Sequence, residues 1–465
     1  METDRFRNYD SEVRDLVLEF EKMCQNQTQQ FFDVEELEII IDYYLENEDI
    51  SNMKKAVDFA LSLYPHSNEI NLRQAQLLSV DGHYDSALSI LKELEAIEPD
   101  NTDIKYTLGA VYSSLSQPRE AIRYLQEASA DGFELNIIYS NMAEEYTKLE
   151  DFDSAKRYYK KALDIEPSDS QVINNLYITY DRLEQYDEAI TYFDEFVTRH
   201  PYSEWGWNSL GLAYSSLGLY EKAIDAFEYV LVINPDNLPA YHNLSSCYLN
   251  LGNPSKAVSY LREGLEYDPN PALSLFFIGQ IYQDNHNFQS AVIYYKKALN
   301  SDPLFAEAWM AASECYCGLH DYSTAIDHAN HAMAINPESP DFACRTAYIH
   351  HYFDHPDEAE PLYICAIKLD PTQEGFWLDY SDLMIDSERY EEAAELLQEG
   401  VINADNTFPF YLRMALCFYR MGLRNRLFNV VRACMTNAPE RINELFELCP
   451  EMGSDIDVMN IINSD

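Results

Sequence analysis

Apolar residues recur along this chain as pairs of short helical stripes, and the pair itself recurs. In WNSLGLAY, Trp207, Leu210, Gly211 and Tyr214 stand at i, i+3, i+4 and i+7, one face of an α-helix. A second stripe follows with Ala223, Phe227 and Val230. Pro235 then closes the pair, because proline cannot continue a helix and disfavours helical geometry in the residue before it. Turns such as LGLY, LGNP and LEQY separate the stripes. Each stretch therefore predicts two amphipathic helices joined by a tight turn.

Thirty-four residues on, YHNLSSCYLNLGNPSKAVSYLREGLEYDP repeats the pattern and ends at Pro269. Extending the interval both ways places Pro65, Pro99, Pro167, Pro201, Pro235, Pro269, Pro303, Pro337, Pro371 and Pro439 on one column, broken only at Phe133 and Asp405. A second column is unbroken alanine from Ala87 to Ala393. A third holds Tyr112, Tyr146, Tyr180, Tyr214, Tyr248, Tyr282 and Tyr316. A fourth is small in most repeats (Ala75, Gly109, Ala143, Gly211, Ser245, Gly279), which lets a neighbouring helix approach closely. Spacing this regular means stacked copies of one supersecondary unit.

The pattern W-x2-L-G-x2-Y, then A-x3-F, then P, resembles the tetratricopeptide repeat. Twelve copies start at Val34, Asn68, Thr102, Asn136, Ser170, Glu204, Leu238, Ala272, Ala306, Pro340, Glu374 and Phe408, covering residues 34–441. The resemblance implies an all-α, right-handed superhelical solenoid whose first helices line a concave groove and whose second helices face outward. It also implies a non-catalytic scaffold or adapter that binds protein or peptide segments in that groove. Two flanks remain. Residues 1–33 form an acidic segment with a capping helix, whose stripe is Val13, Leu16, Val17, Phe20 and Cys24. Residues 442–465 form a closing helix and tail, with Ile442, Leu445 and Leu448 turned inward. Such ends are what a solenoid needs to cover its terminal apolar faces.

Composition narrows the function. A formal net charge of −48 argues against nucleic-acid or anionic-membrane partners, which reward Lys and Arg. No apolar run approaches the roughly 20 residues of a membrane span, and the N-terminus has no apolar core of a secretory signal. Nine cysteines without a CxxC pair fit a reducing compartment, so the expectation is a cytoplasmic protein without cofactor. Phosphate-loop, nucleophile-elbow and HExxH motifs are missing, and the short flanks leave no room for a catalytic domain. The chain is not expected to be an enzyme.

Smaller features each have a bland reading beside the sharp one. His351 and His355 are four apart, a zinc-compatible spacing on a helix, but they straddle the turn of repeat ten, where polar turn residues are the better expectation. Cys315 and Cys317 read as buried helix thiols rather than a redox pair. Pro361, inside the second helix of repeat ten, marks a place for a kink.

On the groove, positions two and five of the repeat never hold Lys, so the clamp that resembling co-chaperones close on the acidic tails of Hsp70 and Hsp90 is absent. Position six instead carries Asn141, Asn175, Ser209 and Asn243 in four consecutive repeats. These resemble the asparagine ladder of O-GlcNAc-transferase-type superhelices, which implies an extended peptide held by its backbone through amides that both donate and accept. Trp205, at position two, serves no core column and would add an aromatic anchor. The alternative is that these asparagines bond to neighbouring helices or water and that Trp205 packs against the next repeat. Arg413 and Arg420 lie in an island free of acidic residues between Asp405 and Glu440. They either pair with Asp379 and Asp386 at the same positions one repeat earlier, or receive an acidic or phosphorylated partner segment. A third possibility is the acidic start of a second copy, which would make the chain a self-assembling structural protein and homo-oligomer.

Overall fold

The computed structural model describes residues 11–26, 30–132 and 134–462. The first ten residues of the acidic segment, and Phe133 of the proline column, lie outside the described residues. Within them the chain forms twenty-seven α-helices and no strand, and none of the helices is long and apolar enough to cross a membrane. The chain divides into two compact units, residues 1–235 and 236–465.

The first unit opens with a helix at Ser11–Asn26 and continues as six helix pairs, from Val34–Glu46 with Ile50–Leu63 to Glu204–Ser216 with Tyr220–Ile233. The second unit holds six more pairs, from Leu238–Asn250 with Pro254–Gly264 to Phe408–Arg420 with Arg424–Asn437, then short helices at Glu444–Leu448 and Ile456–Ile462. Eleven of the twelve first helices begin at the residue where the repeat register begins. The fourth starts one residue early, at Leu135.

Local chemistry explains why the helices start and stop there. The residue before each first helix is commonly a side-chain cap: Asp33, Ser67, Asn101, Asp169, Ser203, Asn237 and Ser339 each accept a backbone N–H of the first turn. The turn inside every pair places one residue in the left-handed region, and that residue also recurs every 34 positions, from Glu48 to Gly422. Glycine fills only four of the twelve, Gly82, Gly218, Gly252 and Gly422; the others are side-chain-bearing residues at φ of 54 to 61°.

Packing accounts for the columns. Every alanine of the second column is fully buried, because its methyl group is all the space between two helix backbones allows. Three of the four tryptophans, Trp207, Trp309 and Trp377, donate their indole N–H at 2.9, 2.9 and 3.0 Å to the carbonyls of Pro201, Pro303 and Pro371. The tryptophan and proline columns thus form one contact. The tyrosine column also has a partner. Tyr112, Tyr146, Tyr248 and Tyr282 stack at 5.4–5.5 Å on Tyr124, Tyr158, Tyr260 and Tyr294 of the adjoining second helices. A cation twenty residues upstream covers four members of the column: Lys92 lies over Tyr112, Lys160 over Tyr180 and Lys296 over Tyr316, while Arg262 donates to the hydroxyls of Tyr282 and Tyr294. At about 0.5–1 kcal/mol each, these cation–π contacts knit successive repeats and occupy part of the small stock of basic residues.

The ends differ in detail from the sequence expectation. Val17 and Phe20 are buried against Leu37, Ile40 and Tyr44, but Met23 takes the inward place expected of Cys24, which is exposed. At the other end Leu445 is buried and Ile442 nearly so, whereas Leu448 is 39% exposed and Cys449, Met452 and Val458 complete the cover. The helix Glu444–Leu448 is too short to continue the stripe, so the chain turns and seals the face with the residues that follow. Pro361 does not break its helix, which runs unbroken from Pro356 to Leu369.

Candidate protein-binding face

With each repeat numbered from the start of its first helix, positions six and nine carry charge pairs between adjacent first helices. Three arginine–carboxylate pairs share one register here. Arg73 binds Asp42 at 2.8 Å, Arg345 binds Glu314 at 3.0 Å, and Arg413 grips both carboxylate oxygens of Asp382 at 2.7 and 2.8 Å. In each case position six reaches position nine of the preceding repeat. Arg413 therefore pairs with Asp382, not with Asp379 as expected from equal positions. Several polar contacts between adjacent first helices fall 31 or 35 residues apart rather than 34, so these side chains meet beside the equally numbered position and not at it. Arg420 likewise finds Glu451 at 3.2 Å rather than Asp386, and Arg424 pairs with Asp455. Three of the island's five arginines are thus engaged inside the chain.

The asparagine positions are not equivalent. Asn141 donates to the hydroxyl of Tyr106 at 3.1 Å, and Asn175 bonds Tyr159. Ser209 is only 2% exposed and offers nothing to a ligand, because a serine at that position sinks between the helices. Asn243, in the second unit, is half-buried. Trp205 is 42% exposed and lines a cavity of about 530 Å³ with Ile173, Arg199, Pro201 and Tyr202, at the turns joining repeats five and six rather than on the first-helix face.

Three cavities do open along the first helices. One of about 350 Å³ lies at repeats four and five, lined by Glu144, Thr147, Asn175, Ile178 and Arg182. Another, about 370 Å³, lies at repeats seven and eight, with Leu249, Phe277 and Ile281 as its apolar wall and His242, Gln280 and Asp284 as polar groups. In that wall His242 meets the Ser274 hydroxyl at 3.1 Å, and Ser274 donates to Asp268 at 2.7 Å; burial lowers the histidine's pKa, so it is held neutral. The third, about 310 Å³, is lined by Glu314, Cys317, Cys344, Arg345, Tyr348, Ile349 and Asp379, all on the first helices of repeats nine (Ala306–Gly318), ten (Pro340–Tyr352) and eleven (Glu374–Asp386). Sequence reading missed this last site because its residue types are ordinary; only the position-six-to-nine register reveals which charges are already matched.

The histidines of repeat ten part company. His351 bonds Asp386 at 3.0 Å, and His355 stacks on Tyr322 at 4.4 Å. Cys315 and Cys317 are buried thiols, pushed by desolvation up to about 12 and about 11, which removes the reactive thiolate at neutral pH.

Burial raises the Asp379 carboxyl above its ordinary range; the Cys344 thiol hydrogen bond opposes this, Asp382 adds to it, and Arg413 and His351 oppose it more weakly. The folded state therefore holds this proton more tightly than the unfolded chain. The penalty is fully present above the raised pKa and absent below the ordinary aspartate value of about 3.9. Asp379→Asn is accordingly expected to raise the urea midpoint of the chain at neutral pH, and the gain should vanish as pH falls through the carboxylate range. An unchanged difference across that range would remove this account.

Tetratricopeptide-repeat family models match residues 81–136, 137–169, 178–237, 216–275 and 272–303. No curated protein sequence matches the chain. Among solved structures it is similar to yeast Tom70, at 15% identity and a TM-score of 0.43 over 92% of this chain and 98% of that one. It is also similar to the APC/C hetero-tetramer Cut9–Hcn1, at 14% identity and 0.38 over 89% and 97%. A tetratricopeptide-repeat protein from Parabacteroides merdae matches at 16% and 0.41 over 55% of this chain and 98% of that one.

Proposed function

The chain belongs to the tetratricopeptide-repeat family, whose members are in general non-catalytic interaction scaffolds, and from that premise we propose that it is an adapter holding protein or peptide segments on its first-helix face. The observation that carries this reading is the pair of cavities along the first helices of the second unit, at repeats seven to eight and nine to eleven; the first unit has one of its own at repeats four to five. Two cavities within one unit suit an extended segment, each taking one side chain, so that modest contacts add along its length. Asn141 and Asn175 supply half-buried amides on first helices of the first unit and Asn243 one in the second, and Trp205 offers an aromatic surface at the turns joining repeats five and six. Self-association through the acidic start and the arginine-rich end has less support, since Arg413, Arg420 and Arg424 are committed within the chain.

Affinity capture of partners by the intact chain tests the proposal. The Asn141→Ala, Asn175→Ala, Asn243→Ala, Trp205→Ala variant is expected to stay folded by circular dichroism and to lose at least one specific partner. Retention of every partner by the folded variant would refute the assignment of these residues.

A further inference from the structure

The cavity at repeats nine to eleven is unusual in how its charges are matched. Arg345 gives its guanidinium to Glu314 at 3.0 Å, and the other Glu314 oxygen accepts from Gln283 at 3.0 Å. Arg413, the nearest cation on the following repeat, gives two hydrogen bonds to Asp382. His351 is engaged with Asp386. Asp379 sits at position six, where Arg73, Arg345 and Arg413 elsewhere reach back to a carboxylate at position nine. Here the facing position nine is Tyr348, 51% exposed, so this half-buried carboxylate has no cation of its own in the register. Its hydrogen bond is the Cys344 thiol at 3.4 Å, a weak donor that occupies one oxygen.

We infer that this cavity takes the side chain of a lysine from an extended, basic segment of a partner protein. The inference rests on the reading that the first-helix face binds such segments. The ammonium would meet the second Asp379 oxygen, and the aliphatic stem would lie along Tyr348 and Ile349, where an aromatic face favours a nearby cation. Lysine fits better than arginine because only one carboxylate oxygen is open, which suits a point charge rather than a bidentate fork. An anion is disfavoured, since two carboxylates face one guanidinium already paired. A volume of about 310 Å³ is at the lower end of ligand sites, enough for one long side chain. The net charge of −48 would steer basic segments toward the chain and away from acidic ones.

Fluorescence anisotropy with a labelled nonapeptide of leucine, lysine and serine tests this on the full chain at physiological ionic strength. Two companion peptides replace lysine with norleucine or with arginine. Asp379→Asn, expected above to fold at least as stably as the parent, should weaken the lysine peptide about tenfold, the scale of losing one partner of a desolvated charge pair. Glu399→Gln, the loss of an exposed charge on the second helix of repeat eleven, should stay within about twofold, and the norleucine peptide should not bind. Equal losses in the two variants would mean diffuse attraction to an acidic protein and would overturn the site. So would no binding of the lysine peptide, or tighter binding of the arginine peptide through Asp379. If the asparagine and tryptophan variant loses a captured partner while these peptide arms fail, the first-helix face keeps its role and the lysine assignment alone falls.

Discussion

Phe227→Ala is expected to destabilise repeat six by about 3–5 kcal/mol, toward the upper end for a core aromatic. The ring is fully buried, and one of its walls is backbone rather than side chain. A Cβ placed on Gly211 would lie 2.7 Å from Phe227 Cε1 and 2.9 Å from Cδ1, so the ring occupies the space that every other residue type would need. A cavity against helix backbone collapses poorly. Its cost therefore keeps most of the void term as well as the transfer term. The same geometry predicts a change of sign. In the parent chain Gly211→Ala should destabilise, because its methyl meets the ring, despite a helix-propensity gain of about 1 kcal/mol. In the Phe227→Ala background the same substitution should stabilise, since the methyl enters the void and the propensity gain is unopposed. Hydrogen exchange of the amides in Glu204–Ser216 and Tyr220–Ile233 reads the effect locally, which matters because a repeat array need not melt as one unit. Additive effects of the two substitutions would show that ring and backbone are not coupled as the distances imply.

What could be read without coordinates, and what could not, follows from which interactions repeat at 34. Proline, alanine and tyrosine columns are visible because each answers one fixed need: ending a helix, admitting a close neighbour, stacking on the adjoining helix. The turn between helices was only half visible. Gly218 and Gly252 announce a left-handed residue, but Glu184, His320 and Asp354 occupy the same conformation without a compositional signal. Charge pairing was misread for a different reason. Columns compare equal positions, whereas Arg413 and Asp382, like Arg345 and Glu314, meet 31 residues apart and His351 and Asp386 meet 35 apart. Burial was likewise beyond reach for single residues: Ser209 and Asn175 share a position, yet one is sealed and the other lines a cavity. The arginine island left more than one reading open, ion pairing within the array and reception of an acidic partner segment among them. In the structure its first two members and Arg424 bind Asp382, Glu451 and Asp455.

That last pairing bears on how the array ends, and ending the chain after Asn437 is expected to have the largest effect of any change considered. Leu445, Cys449, Met452 and Val458 are fully buried against the last repeat, whose own Cys417, Leu427, Val431 and Cys434 are equally inaccessible. At about 1.5–3 kcal/mol for each large apolar side chain withdrawn from water, losing Leu445, Met452 and Val458 alone forfeits about 5–9 kcal/mol, an upper figure because the unfolded chain already buries part of that surface. Repeat twelve has one neighbouring repeat on the other side, and a terminal unit stripped of its cover loses solubility first. The truncated chain should therefore lose hydrogen-exchange protection in Phe408–Arg420 and Arg424–Asn437 and bind a hydrophobic dye, while the first unit keeps its protection. The arginines add a control. Glu451→Gln removes the exposed ion pair with Arg420 but keeps the apolar cover, and at about 0–1 kcal/mol for an exposed pair it should leave repeat twelve folded. Collapse of repeat twelve in the charge variant, with the apolar residues intact, would make electrostatics rather than burial the force that closes the array.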